Sequence, residues 1–171
     1  MYALYRVSRM IIVSFNVRGV GGAPKVLTLE NLFRKFRSDI VLVQETMCED
    51  TKACEAFLNF FPGWEVCVIG AQGMSGGLCV VWNPLVADFI VSSYCAGLLL
   101  DGRIRELKDL VQVVSYYAPF AARRGFWDKV QWSGILDDSR IIFCGDLSFI
   151  MALNEIWGSG ARIDDLAGYF C

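Results

Sequence analysis

Ile141-Ile142-Phe143-Cys144-Gly145-Asp146-Leu147-Ser148 opens as a short apolar run and closes on a carboxylate. An apolar run of that length is the pattern of a strand buried on both faces. Gly145 stops the run, and Asp146 stands at its carboxyl end. In layered α/β domains, ligands bind outside the carboxyl ends of strands. Three other segments share the design. Met10-Ile11-Ile12-Val13-Ser14-Phe15 ends in Asn16, Ile40-Val41-Leu42-Val43 runs into Gln44 and Glu45, and Val111-Gln112-Val113-Val114-Ser115-Tyr116 ends in Tyr117. Four strands thus deliver polar side chains at the same kind of end, and the rest of the chain reads as a scaffold that gathers Asn16, Glu45, Tyr117 and Asp146.

A chain of 171 residues is the length of one domain. Its hydrophobic fraction of 55% exceeds the roughly 45–50% of an average domain, which predicts a compact chain and surplus apolar surface that expects a partner. A net charge of −2 gives no bulk attraction to nucleic acid or acidic membranes, so any binding to phosphates has to be local. The seven cysteines are odd in number and show no C-x-x-C spacing, the pattern of free thiols in a reducing compartment. With no histidine as well, a zinc site is set aside. Residues 1–9 have no long apolar core and read as an N-terminal extension rather than a signal peptide, ahead of a domain over 10–171. The uncharged run Val66 to Ala87 is long enough to cross a membrane but contains Gly70, Gly73, Gly76, Gly77, Asn83 and Pro84. It reads as two strands and a glycine-rich turn. The expectation is an intracellular protein of nucleus or cytoplasm with no membrane partner.

Val17 to Gly22 follows the first strand as a loop whose glycines permit close approach of the backbone to a neighbour. It holds neither G-K-[ST] nor G-x-G-x-x-G, which argues against a nucleotide loop. Pro24 fits the first turn of a helix, and Val26, Leu29, Leu32, Phe33 and Phe36 follow at spacings of three and four. A second helix is expected over Asp50 to Phe60, stopped by Pro62-Gly63. Trp64 to Ile69 and Leu78 to Trp82 read as paired strands, and Ala87 to Ser93 as another. Ile104 to Leu107 and Leu110 to Tyr117 read as a hairpin around Lys108-Asp109, ended by Pro119. Arg123 to Leu136 is expected as a helix with Phe126, Trp127 and Val130 inward. Arg123 and Arg124 stand at its start, where two arginines are ordinarily solvated, and they stay outside the site. The order strand, helix, strand predicts a layered α/β fold.

Glu45 and Asp146 are hard oxygen ligands with no histidine or thiolate beside them in this pattern. Few hard ligands suit Mg²⁺, with Mn²⁺ the other ion such a set accepts, because Mg²⁺ keeps most of its water and binds phosphate alongside. The amide of Asn16 can fix a metal-bound water or a phosphate oxygen, and the Tyr117 hydroxyl can donate to a phosphate. Together they fit metal-assisted hydrolysis of a phosphodiester. Taken singly, each is more ordinary as a turn residue or an aromatic over a sheet edge. The case rests on the four together.

Ser14-Phe15-Asn16-Val17-Arg18-Gly19, Asp39 to Thr46, Tyr117-Ala118-Pro119 and Gly145-Asp146-Leu147-Ser148 resemble, in order, the motifs of the endonuclease/exonuclease/phosphatase superfamily. More narrowly they resemble the apurinic/apyrimidinic-type endonuclease domain of plant non-LTR retrotransposons. Ser75-Gly76-Gly77 before Trp82, Arg124 to Trp127, Asn154 to Gly158 and Ala161-Arg162 fit that branch. The resemblance implies a four-layer sandwich of two mixed β-sheets flanked by helices, incomplete at the C-terminus. It implies that Asn16 and Glu45 serve the metal site, Tyr117 contacts phosphate and Asp146 orients or deprotonates the attacking water. The implied reaction is Mg²⁺-dependent cleavage of DNA.

Two departures stand against full activity. Ser148 occupies a position where the family has asparagine, and the family's late Asp and catalytic His have no counterpart in a sequence without histidine. The expectation is therefore an endonuclease by ancestry, impaired here. The alternatives are an inactive retroelement remnant that survives as a binding fragment, and a phosphomonoesterase of the same superfamily.

Overall fold

Among the described residues, nine strands and three α-helices fold into four layers. The computed structural model describes residues 2–7, 10–20, 23–71, 76–95, 97–107, 109–119, 122–138, 140–148 and 166. Ser75 of the Ser75-Gly76-Gly77 motif and the whole of the motifs at 154–158 and 161–162 lie outside the described residues.

The first sheet contains β1 (Tyr2–Val7), β2 (Met10–Asn16), β3 (Ile40–Gln44), β4 (Glu65–Ile69) and β5 (Leu78–Trp82), in the spatial order β1-β2-β3-β5-β4. Only β2 and β3 run parallel in it. The second sheet contains β6 (Ala87–Tyr94), β7 (Gly97–Ile104), β8 (Leu110–Tyr117) and β9 (Ile141–Asp146) in that order, and only β8 and β9 run parallel. Each sheet therefore has one parallel pair, and in each pair both carboxyl ends emerge together. The two pairs meet in space: β2 and β3 both contact β9, and β3 contacts β8.

Side chains alternate across a strand, and the alternation sorts this chain into three cores. Between the sheets lie Met10, Ile12, Ile40, Leu42, Leu78, Val80 and Trp82 from one side and Phe89, Leu98, Leu100, Ile104, Val113 and Cys144 from the other. The residues between them on β2, β3 and β5 (Val13, Val41, Val43, Cys79, Val81) face outward to helices α1 (Ala23–Phe36) and α2 (Asp50–Phe60). Leu29 and Phe33 of α1 and Phe57 and Phe60 of α2 complete that layer, each large side chain contributing about 1.5–3 kcal/mol by burial. On the far side, Phe126, Trp127 and Val130 of α3 (Arg123–Trp132) cover Val114, Tyr116 and Phe143. Among the described residues no helix is long and apolar enough to cross a membrane.

Two local expectations are revised. The hairpin partner of β8 is Gly97–Ile104, not Ile104 to Leu107, and it pairs from Gly97↔Tyr116 to Arg103↔Leu110. Gly97, Asp101 and Gly102 disguise this strand, because glycine and aspartate are poor strand formers. Gly102 is required by close approach: a Cβ there would lie 2.0 Å from the Asp88 carbonyl oxygen. Helix α3 stops at Trp132 rather than Leu136, because Gly134 turns left-handed at φ +72 and a separate 3-10 turn takes Ile135–Asp137. The stretch ahead of Met10, set apart in sequence as an extension, supplies β1, paired antiparallel to β2 from Tyr2↔Phe15 to Val7↔Met10.

Candidate active site at the carboxyl ends of four strands

The inward-facing rows of the four central strands change from apolar to polar toward one end. β2 gives Met10, Ile12, Ser14, Asn16; β3 gives Ile40, Leu42, Gln44; β8 gives Val111, Val113, Ser115, Tyr117; β9 gives Ile142, Cys144, Asp146. Parallel pairing sets Asn16 beside Gln44, and Tyr117 beside Asp146. The polar ends of the two sheets converge there.

Asn16 is the centre. It is 9% exposed, and its Nδ2 donates to Glu45 Oε1 at 2.9 Å and to Asp146 Oδ2 at 2.7 Å. Its Oδ1 accepts the Arg18 backbone N–H at 3.1 Å, which fixes the amide orientation. Both amide protons are thus committed, one to each carboxylate.

Strict alternation would send Glu45 to the face opposite Gln44. It reaches Asn16 because Glu45 adopts a left-handed conformation at φ +55, costly for a residue with a Cβ and concentrated at functional sites. Neighbouring loops hold that turn. Gly19 N–H donates to Glu45 O at 2.6 Å, Val20 N–H to Thr46 O at 2.9 Å, and Thr46 N–H to Gly77 O at 3.2 Å. Gly77 has φ +87, and a Cβ on it would lie 2.2 Å from Thr46 Oγ1, so glycine is required there.

Tyr117 sits beside the Glu45 carboxylate, close enough for its charge to act on the phenol. Its hydroxyl is held above the ordinary value of 10, first by burial, then by Glu45, and last by the charge of Asp146. A phenol so placed stays protonated and remains a donor.

Asp146 is fixed at both oxygens: Oδ2 by Asn16, and Oδ1 by the Ser148 backbone N–H at 3.1 Å. Ser148 has φ +52, a region that asparagine enters more readily than serine. Its hydroxyl donates to Ala118 O at 2.9 Å, away from the carboxylates. The structure therefore gives Ser148 a bracing role, with its backbone N–H rather than its side chain on Asp146. Arg123 Nη1 donates to Ser148 O at 2.8 Å.

All five residues singled out in the sequence are thus brought together. Sequence reasoning missed three others, Ser14, Gln44 and Ser115, buried one pleat below. Gln44 Nε2 donates to Ser14 Oγ and to Ser115 Oγ, each at 3.2 Å. The available signal was the polar residue two before Asn16 and two before Tyr117.

Residues 13–164 match the Endonuclease/Exonuclease/phosphatase family. The chain belongs to that family. Among solved structures, an AP endonuclease from Archaeoglobus fulgidus superposes with a TM-score of 0.59 at 18% identity, covering 86% of this chain and 60% of that one. The 3' phosphatase NExo from Neisseria, bound to a product DNA hairpin, gives 0.59 at 16% identity over 82% of this chain and 58% of its own. The endonuclease domain of TRAS1, a telomere-specific non-LTR retrotransposon, gives 0.56 at 20% identity over 81% and 60%. These likenesses establish the fold, and the chain spans about 60% of the length of each of these three structures. No curated protein matches it.

As a member of this family the chain raises the question of a divalent cation. Among the described residues no group of three or more His, Cys, Asp or Glu side chains forms a metal cage. Glu45 and Asp146 make no ion pair among the described residues. Two unpaired carboxylates joined by one amide fit Mg²⁺, which is ordinarily held by one or two carboxylates plus water and phosphate.

Proposed function

We propose that this site holds one Mg²⁺ and is built to cleave a phosphodiester of DNA, as an endonuclease of retroelement type. The observation that carries the reading is the Asn16 amide, which ties Glu45 and Asp146 together from opposite sheets at 2.9 and 2.7 Å. Glu45 and Asp146 would hold the cation, with Mn²⁺ as an acceptable substitute. A cation bound there polarises a phosphoryl oxygen and offsets the charge that develops on it. Asp146 uses one lone pair on each oxygen for Asn16 and Ser148, leaving others to accept a proton from an attacking water. The protonated Tyr117 hydroxyl is suited to donate to a non-bridging phosphate oxygen, exchanging Glu45 for the substrate.

A second reading rests on composition. With no histidine in 171 residues, no imidazole is at hand to donate to the phosphate as negative charge builds. Loss of a donor of that kind lowers rates by about 10²–10³, so these 171 residues by themselves would turn over slowly, or act as a cation- and DNA-binding fragment. A phosphomonoesterase within the same family is the remaining alternative, and cleavage of a simple monoester in preference to plasmid would favour it.

Mn²⁺ titration followed by electron paramagnetic resonance, with Mg²⁺ competition, separates binding from turnover. We expect one site, lost in Glu45→Ala and in Asp146→Ala, with weak Mg²⁺-dependent nicking of supercoiled plasmid. Cation binding that survives both substitutions sinks the metal reading. Robust nicking that needs both carboxylates sinks the remnant reading.

A further inference from the structure

We propose that Gln44 is a positioning residue whose side-chain amide locks the two sheets in lateral register beneath the site. The candidate site is shared between sheets: Asn16 and Glu45 ride on the first, Tyr117 and Asp146 on the second. Anything that slides one sheet over the other changes the spacing of Glu45 and Asp146. The core between the sheets is otherwise apolar, and apolar contact is non-directional, so it sets the distance between sheets more firmly than their lateral offset. Gln44 is 1% exposed, Ser14 3% and Ser115 0%. One Nε2 donates to a hydroxyl on each sheet at 3.2 Å, and Ser14 Oγ reaches back to Gln44 Oε1 at 3.4 Å.

An apolar side chain of the same shape would fill this space. Replacing a buried hydrogen-bonded group and its partners with matched apolar ones is near neutral or stabilising, so stability does not call for the amide. Direction does. Both Nε2 protons are committed, one toward each sheet, and a lateral shift breaks one of them and leaves a buried donor unpaired. Gln44 is the register neighbour of Asn16, and Ser115 lies two residues before Tyr117 on the same inward row. The clamp is therefore one pleat below the carboxylates. Its role in tuning a cation rests on the metal reading above, while its role in holding Asn16 against Asp146 does not.

The test uses two readouts on the whole chain. The first is Mn²⁺ affinity, for which partners behind the ligands matter by about 10–100-fold. The second is metal-free: exchange of the Asn16 side-chain NH₂ protons with solvent by ¹⁵N NMR, assigned by their loss in Asn16→Ser. In Gln44→Leu we expect Mn²⁺ binding at least tenfold weaker and Asn16 exchange at least tenfold faster, with a lowered thermal midpoint because the buried Ser14 and Ser115 hydroxyls lose their partner. Ser14→Ala/Gln44→Leu/Ser115→Ala, which removes all three polar groups, should keep both effects with a midpoint at or near that of the parent. Ser115→Ala should show both effects more mildly, and Ser115→Thr, which restores a hydroxyl, should not. If Gln44→Leu does not fold, the Ser115 pair decides. Asn16 exchange unchanged in Gln44→Leu, or in Ser115→Ala, overturns the proposal. If the parent binds no Mn²⁺, the metal reading fails and the exchange data still decide the role of Gln44.

Discussion

At the scale of single residues, the site is legible in sequence where chemistry and position coincide. Asn16, Tyr117 and Asp146 end apolar runs, and a polar side chain at a strand end is visible without coordinates. Glu45 is legible in identity but not in geometry: alternation alone points it away from the site, and only the left-handed backbone at φ +55 returns it. Ser14 and Ser115 are legible only as polar positions two before Asn16 and Tyr117, and their union through Gln44 is not, because a polar residue inside a strand looks the same whether it meets solvent or a partner from another sheet. The contact between Tyr117 and Glu45 carries a pH signature. The folded-state value of Tyr117 is raised above its ordinary value of 10. A group raised in this way contributes stability that is complete below the unfolded value and is lost as pH rises through the folded one. The stability difference between the parent and Tyr117→Phe should therefore be flat below pH 10 and shrink above it. In Glu45→Gln the hydroxyl should titrate closer to its ordinary value, because the largest cause after burial has lost its charge. Spectrophotometric titration of tyrosinate, taken as the difference from Tyr117→Phe, measures both. A Tyr117 that titrates at its ordinary value in the parent removes the contact with Glu45.

At the scale of elements, most helices and strands follow from periodicity: α2 covers the expected Asp50–Phe60 and β5 the expected Leu78–Trp82. What periodicity could not give is where strands approach each other so closely that only glycine fits. Gly145 illustrates this. In sequence it stops an apolar run; in the fold it sits inside β9 at φ +125, opposite Tyr116 in the parallel pairing. A Cβ there would lie 2.0 Å from Tyr116 O and 2.8 Å from Tyr116 N. That approach depends on a partner strand remote in sequence, so no local pattern announces it. Gly145→Ala must push β9 off β8 and adopt a backbone that L-residues avoid. It should destabilise the chain by about 3 kcal/mol or more, about 6–12 °C in thermal midpoint at this size. Gly125→Ala is the control. Gly125 lies in α3 with nothing within 4 Å of its would-be Cβ, so alanine should stabilise by about 0.4–1 kcal/mol. Thermal denaturation of the pair reads opposite signs. A Gly145→Ala chain as stable as the parent would show that β9 does not pack on β8 as described.

At the scale of the whole molecule, charge and site point in different directions. A net charge of −2 offers a polyanion no general attraction, yet the rim of the site is locally basic. Arg18 is exposed, and its N–H holds Asn16. Lys25 Nζ donates to Arg18 O at 2.7 Å, which sets a second cation beside the first. Arg123 donates to Ser148 O, on the Asp146 side of the site. If DNA docks over these loops, the cations that meet phosphates number about three, and the salt dependence should report that number. Log affinity falls against log salt with a slope of about −0.9 for each neutralised phosphate, so about −3 is expected for a duplex across a KCl series in EDTA. Arg18→Ala and Arg123→Ala should each flatten the slope by about 0.9. Arg140, which pairs with Asp138 away from these loops, should leave it unchanged when replaced by alanine. Fluorescence anisotropy of a labelled duplex gives all four slopes. A slope near zero in the parent would mean that DNA is not held at this rim. Equal flattening by Arg140→Ala would mean that it is held by diffuse charge, and that the convergence of four strand ends does not locate the docking face.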